Sequence, residues 1–156
     1  MTKRHRALRV SRRGPLIFLD ANVLFSAAHS PEGRSAAIFA LARQRYCRLI
    51  TSHYAWEEAR RNLADKNPDA LERLKVFTNW VHVCEEANSS RLEMARSVGL
   101  VDPMDVPILA AAIDRADVLV TGDLRHFGPW MNQVVHGVTI LGLAQALELI
   151  LGGRKS

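Results

Sequence analysis

The chain has 156 residues, 48% hydrophobic and 24% charged, with a formal net charge of +5, which fits one globular domain with its own core and excludes a disordered chain. Two cysteines, Cys47 and Cys84, with no C-x-x-C pair, exclude a disulfide scaffold and a cysteine-ligated zinc site and fit reduced thiols in a cytoplasmic protein. No apolar run reaches the ~18 residues of a membrane span, and Asp20 interrupts the apolar stretch after the basic start too early for a signal peptide.

Residues 1–14 come first in chain order and read as a basic, flexible tail. Lys3, Arg4, Arg6, Arg9, Arg12 and Arg13 all precede Pro15 with no acid among them, whereas the rest of the chain sets 15 basic against 16 acidic residues. Such an arm can hold phosphates by releasing counterions; a solvated terminus is the plainer alternative. Residues 15–152 read as the folded domain. Leu16–Leu19 is a first strand, ending at Asp20. An Ala/Leu-rich helix over Ala36–Arg45 leads to a second strand, Arg48–Ser52. His53–Lys66 is helical, with Trp56, Ala59 and Leu63 on one face, and Pro68–Trp80 is helical again. Val81–Cys84 is a third strand; Ser89–Val98 is a helix stopped at Gly99. A helix over Ile108–Ala116, a strand at Val118–Val120, a strand at Val138–Leu141 and a helix over Leu143–Leu151 complete the chain. Strands alternating with helices predict an α/β fold: a three-layer α/β/α sandwich around a central, mostly parallel sheet of four or five strands.

In an open sheet of this kind, sites form beyond the carboxyl ends of the strands. Asp20 and Asp123 stand at such ends, where a carboxylate beside apolar residues is costly unless something compensates it. Each also suits a helix N-cap. Asp105 stands three, four and seven residues before Ile108, Leu109 and Ala112, at the head of the stripe that packs on the sheet. Asp102, followed by Pro103, suits the cap there better than Asp105 does. A fourth acid is Glu57 or Glu58. With Trp56 at 0° and about 100° per residue, Ala55, Ala59 and Leu63 fall at about 260°, 300° and 340°, Glu58 at about 200° and Glu57 at about 100°. Glu58 therefore borders the buried face, and Glu57 is solvated.

LIFLDANVLFSA, TSHYAWEEARRNL, DPMDVPILAAAIDRADVLVTGDLRHF and GVTILGLAQALELI, in that order, resemble the successive motifs of PIN-domain ribonucleases, including the VapC-like toxins. The likeness covers roughly residues 16–151. It implies metal-site acids at Asp20, Glu58, Asp105 and Asp123, with Asn22 and Thr121 in supporting positions and Asp102 as a variable extra acid. It further implies an Mg²⁺- or Mn²⁺-dependent endoribonuclease, often the toxin of a toxin–antitoxin pair. RNA would be the substrate, an antitoxin protein and a second copy of the chain would be partners, and no membrane would be involved.

The chemistry agrees with the residue types. Hard divalent cations prefer carboxylate and water oxygens, and three or four convergent carboxylates repel one another until a cation neutralises them. Such a site hydrolyses a phosphodiester with water, leaving a 5′-phosphate and a 3′-hydroxyl. Arg34, Arg60, Arg61 and Arg125 are candidates for phosphate contacts, against the plainer reading of solvated arginines. Trp130 and Phe127 either stack on a base or anchor their loop, and His126 reads as a surface histidine. Two rivals remain. A haloacid-dehalogenase-like phosphatase would use Asp20 as a covalent nucleophile, but position 22 is Asn where that family expects a second acid. A catalytically inactive PIN-like module that binds RNA or protein would be expected to lack site acids.

Overall fold

The computed structural model describes residues 14–153; the basic tail expected over residues 1–14 lies, but for Gly14, outside the described residues. Five strands form where the apolar, β-branched runs predict them: β1 (Leu16–Leu19), β2 (Arg48–Ser52), β3 (Val81–Cys84), β4 (Val118–Val120) and, last in chain order, β6 (Val138–Leu141). A sixth, β5 (Val134–Val135), pairs antiparallel with β6 and forms one edge. It is two residues long, too short for an alternating pattern to reveal. The sheet order is β3-β2-β1-β4-β6-β5, and every pairing except β5–β6 is parallel. The architecture is the expected α/β one, a mostly parallel sheet flanked by helices.

Central strands are buried on both faces, which is why they are apolar throughout. Ile17, Phe18, Leu19, Leu119 and Val120 are all fully buried. The helices are α1 (Ala21–His29), α2 (Arg34–Arg43), α3 (His53–Lys66), α4 (Leu71–Val76), α5 (Ser89–Arg96), α6 (Val106–Arg115), α7 (Leu124–Phe127) and α8 (Leu143–Gly152). Helix α1 packs against α2, α3 and α4, and α5 packs on α6. A helix after Asp20 is allowed by the sequence, which lets Asp20 serve as its N-cap but gives it no bounds; it runs over Ala21–His29. It forms because Asp20 ends the strand in extended geometry and its Oδ1 accepts the Ala21 N–H at 2.7 Å. The single helix expected over Pro68–Trp80 is instead a 3₁₀ turn (Pro68–Ala70), α4, and a second 3₁₀ turn (Phe77–Asn79). Helix α5 stops at Arg96, and Gly99 takes up the left-handed backbone at φ 82° beyond it.

This connectivity decides where a site can form. The chain runs outward from β1 to β2 to β3, then returns to place β4 on the other side of β1. Beyond the carboxyl ends of β1 and β4 lies the point where the winding direction switches, the usual place for a site in such sheets. Asp20 and Thr121-Gly122-Asp123 are the residues there, and the Asp20 N–H bonds to the Val120 carbonyl at 3.0 Å.

A candidate metal centre at the sheet's carboxyl edge

Four segments deliver acids to this edge. Asp20 leaves β1 and is 4% exposed. Its Oδ2 accepts from Thr121 Oγ1 at 2.7 Å and from Asn22 Nδ2 at 3.3 Å. Asn22 Oδ1 in turn accepts the Gly122 N–H at 2.8 Å. These bonds tie the ends of β1 and β4 together and fix the carboxylate's orientation. Asp20 is thus a cap and a member of the acid cluster at once, so the two readings of it are compatible. Ser52 caps α3 by accepting the Ala55 N–H, which sets the rotation of that helix. Ala55, Ala59 and Leu63 are buried, Glu58 is half-buried, and Glu57 is exposed in a forked bond to Arg60.

Asp102 caps the short 3₁₀ turn Pro103–Asp105, accepting from Met104 N at 2.9 Å. That leaves Asp105, whose side chain makes no capping bond, at the head of α6 with Pro107 in its first turn. Asp123 heads α7 and accepts the His126 N–H at 3.2 Å. One helical turn returns His126 over the cap. Its Nδ1 lies 2.6 Å from Asp123 Oδ2, 3.2 Å from Asp105 Oδ2 and 3.9 Å from Asp102 Oδ2. His126 is therefore not the surface histidine expected: its side chain is 25% exposed and faces three carboxylates. The signal was the Asp-x-x-His spacing, which puts both on one helix face. Phe127 is fully buried and anchors the turn, so it is not available to stack on a base.

The electrostatics show acids in excess. Burial pushes the Asp20 carboxyl up to about 6, against the Thr121 and Ala21 hydrogen bonds, with the charges of Glu58 and Asp123 adding to the rise. Burial also pushes Asp105 up to about 7; the Asp20 charge adds to this, His126 opposes it, and Asp123 and Asp102 add further. Glu58 is raised by burial, with Arg61 opposing and Asp102 and Asp123 contributing. Glu57, by contrast, is lowered by its bond from Arg60. Tyr54, on the first turn of α3, is raised by burial and then by Glu58, Asp105 and Asp102. It stands one helical turn before Glu58 on the same helix, an i, i+4 spacing visible in the sequence, while Asp102 and Asp105 reach it from another segment.

A cation fits this donor set. The carboxylates supply the hard oxygen ligands that Mg²⁺ and Mn²⁺ prefer, and Asp105 Oδ2 is buried beside the His126 ring nitrogen, 3.2 Å away, with no other hydrogen-bond partner among the described residues. Asp102, Asp105 and His126 can each turn one donor atom to within 4.8 Å of the others. Of the arginines considered for phosphate contacts, Arg34, Arg61 and Arg125 are exposed, while Arg60 is engaged by Glu57.

The family model of the PIN domain matches residues 16–125. The chain belongs to the PIN domain family, a family of nucleases. No curated protein matches the sequence. Among solved structures, VapBC from Salmonella typhimurium bound to DNA is similar over 83% of this chain and 98% of the other, at 21% identity and TM-score 0.60. VapBC2 from Rickettsia felis, bound to a fragment of its promoter DNA, is similar over 81% and 98%, at 15% identity and TM-score 0.58. FitAB bound to a DNA fragment is similar over 81% and 94%, at 18% identity and TM-score 0.53. At these identities the likeness is one of fold.

Proposed function

We propose that this chain is a metal-dependent endoribonuclease and the toxin of a toxin–antitoxin pair. The observation that carries the catalytic part is the convergence of carboxylates from β1, α3, α6 and the end of β4 at the switch point, with Asp105 Oδ2 buried beside the His126 ring nitrogen. Asp20, Glu58, Asp105 and Asp123 would hold Mg²⁺ or Mn²⁺, with Asp102 and His126 adjoining. When bound, the ion supplies positive charge to the phosphate oxygens and makes water a better nucleophile. Water attack on phosphorus would break the bond to the 3′ oxygen, leaving a 5′-phosphate and a 3′-hydroxyl.

The chain's own residues hold the frame for that chemistry. Thr121 and Asn22 keep Asp20 Oδ2 in place by donating to it. Glu58 extends the negative wall from α3, and Arg61, whose charge acts on Glu58, would meet a phosphate. The His126 ring nitrogen Nδ1 lies 2.6 Å from Asp123 Oδ2, beside the carboxylates. Val101, Met104 and Leu124, each next to a cluster acid, are exposed apolar residues. An apolar rim around an acidic cleft suits a protein partner that brings apolar side chains and a cationic one, as an antitoxin would. The named VapBC complexes support that reading, with a homodimer as the further assembly. The test is incubation with mixed RNAs plus Mg²⁺ or Mn²⁺, with and without EDTA, beside Asp20→Asn. Cleavage that needs the ion and Asp20 supports the reading. Metal binding without cleavage of any RNA would favour the inactive binding module.

A further inference from the structure

Tyr54 brings a hydroxyl to the acid cleft. It is the second residue of α3, one helical turn before Glu58 on the same face. Two bonds fix this first turn: the Tyr54 N–H donates to Glu86 Oε2 at 2.9 Å, and the Ala55 N–H donates to Ser52 Oγ at 3.2 Å. The Tyr54 side chain is half-buried and packs against the core, which holds the ring in place. Its hydroxyl reaches Met104 Sδ at 3.8 Å. Met104 lies between Asp102 and Asp105, and its own N–H donates to Asp102 Oδ1 at 2.9 Å. The phenol thus spans from α3 to the segment that carries two of the acids.

What this hydroxyl can do follows from its surroundings. A thioether is a weak acceptor, and it is the only acceptor the Tyr54 hydroxyl has among the described residues. Turning to a ligand therefore costs little. Thr121, by contrast, spends its hydroxyl on Asp20 Oδ2. Burial, then the charges of Glu58, Asp105 and Asp102, push the phenol up against the opposing charge of Arg61, so it keeps its proton. The cleft here offers a neutral donor beside anionic acceptors. A phosphate oxygen could accept from the phenol but would meet the like charge of the carboxylates. A sugar hydroxyl suits both sides: its oxygen accepts from the phenol, and its proton is accepted by a carboxylate.

We propose that Tyr54 reads the ribose 2′-hydroxyl of an RNA strand in the acid cleft, donating from its phenol to the 2′ oxygen, and so selects RNA over DNA. The proposal rests on the nuclease reading for the strand's place in the cleft, but its readout is binding, so the two fail separately.

The test pairs two sugars with two proteins. Full-length wild type and Tyr54→Phe are titrated in Ca²⁺, which takes the same oxygen ligands as Mg²⁺, against fluorescein-labelled oligouridine and oligodeoxyuridine of equal length, read by anisotropy. Phenylalanine keeps the ring and its packing, so the melting temperature should match wild type. Tyr54→Phe should bind oligouridine about fivefold more weakly, the effect of one neutral hydrogen bond, and bind oligodeoxyuridine as wild type does. Differences in sugar pucker act on both proteins alike, so the change in the ratio between sugars isolates the hydroxyl. An equal loss on both polymers would assign the phenol to a phosphate or to structure and overturn the proposal. No loss on either, or failure of wild type to bind oligouridine, would overturn it as well. The changed ratio without cleavage of any RNA in Mn²⁺ would uphold Tyr54's role and count against the nuclease; cleavage with an unchanged ratio would do the reverse.

Discussion

Replacing Asp20 by asparagine should stabilise the metal-free protein at pH 8, although it removes a buried, well-bonded side chain. The Asp20 carboxyl is raised from 3.8 to about 6. The folded state holds that proton more tightly than the unfolded state does, so the associated stability is present below pH 4 and is lost as the pH rises through about 6. Ionised, Asp20 costs the fold on the order of 3 kcal/mol. Asparagine removes this cost. In exchange, Oδ2 accepts from both Thr121 and Asn22, and an amide nitrogen in its place forfeits about 1 kcal/mol of hydrogen bonding. The net gain of about 2 kcal/mol corresponds to a rise of about 4–8 °C in a domain of this size. At pH 4 the advantage should vanish or reverse. Ion at a hundredfold excess over Kd should stabilise wild type by about 2.7 kcal/mol and the variant by far less, inverting the order. Scanning calorimetry in EDTA at pH 4 and 8, then with Mn²⁺ at pH 8, reads all of these. A variant no more stable than wild type at pH 8 in EDTA, with the same Mn²⁺ response, would show that Asp20 serves only as a cap.

Other substitutions probe the site from its neighbours. Glu58→Gln should cut RNA cleavage on the order of 100-fold, whereas Glu57→Gln, which loses only an exposed pair with Arg60, should change stability by less than about 0.5 kcal/mol and leave cleavage near wild type. Cleavage assays on both folded proteins decide, and the reverse ranking would reassign the site to Glu57. Thr121→Val keeps the shape but removes the hydroxyl from Asp20 Oδ2; calorimetric titration should show metal affinity about 10–100-fold weaker, and equal affinity would deny Thr121 its supporting role. Gly99→Ala, at φ 82° with open space around it, should lower stability by about 1 kcal/mol in thermal melts without changing cleavage.

Legibility in the sequence followed the range of the interaction that decides each feature. The five longer strands are short, apolar runs buried on both faces, and such runs declare themselves. The rotation of α3 was also readable, because the Trp56–Leu63 stripe fixes which glutamate borders the buried face. Asp20 marks the start of helix α1 as a cap, but the bounds Ala21–His29 are not legible, because the helix follows the strand without a loop. Pro68–Trp80 kept an apolar pattern through two tightened turns, which periodicity does not distinguish from a continuous helix. His126 was misjudged because its partners Asp102 and Asp105 lie more than twenty residues away, although its spacing from Asp123 was visible. Tyr54 meets Asp105 and Asp102 only through the fold, although its i, i+4 spacing from Glu58 is local.

The most direct measurement of the central claim is cleavage of a mixed RNA pool by purified wild type and Asp20→Asn, with Mn²⁺ or Mg²⁺ and again in EDTA, with end-group analysis of the products. Fragments bearing 5′-phosphates and 3′-hydroxyls, formed only by wild type and only with the ion, are the result expected. Cleavage that persists in EDTA or in Asp20→Asn would contradict the assignment of these carboxylates as a catalytic metal centre.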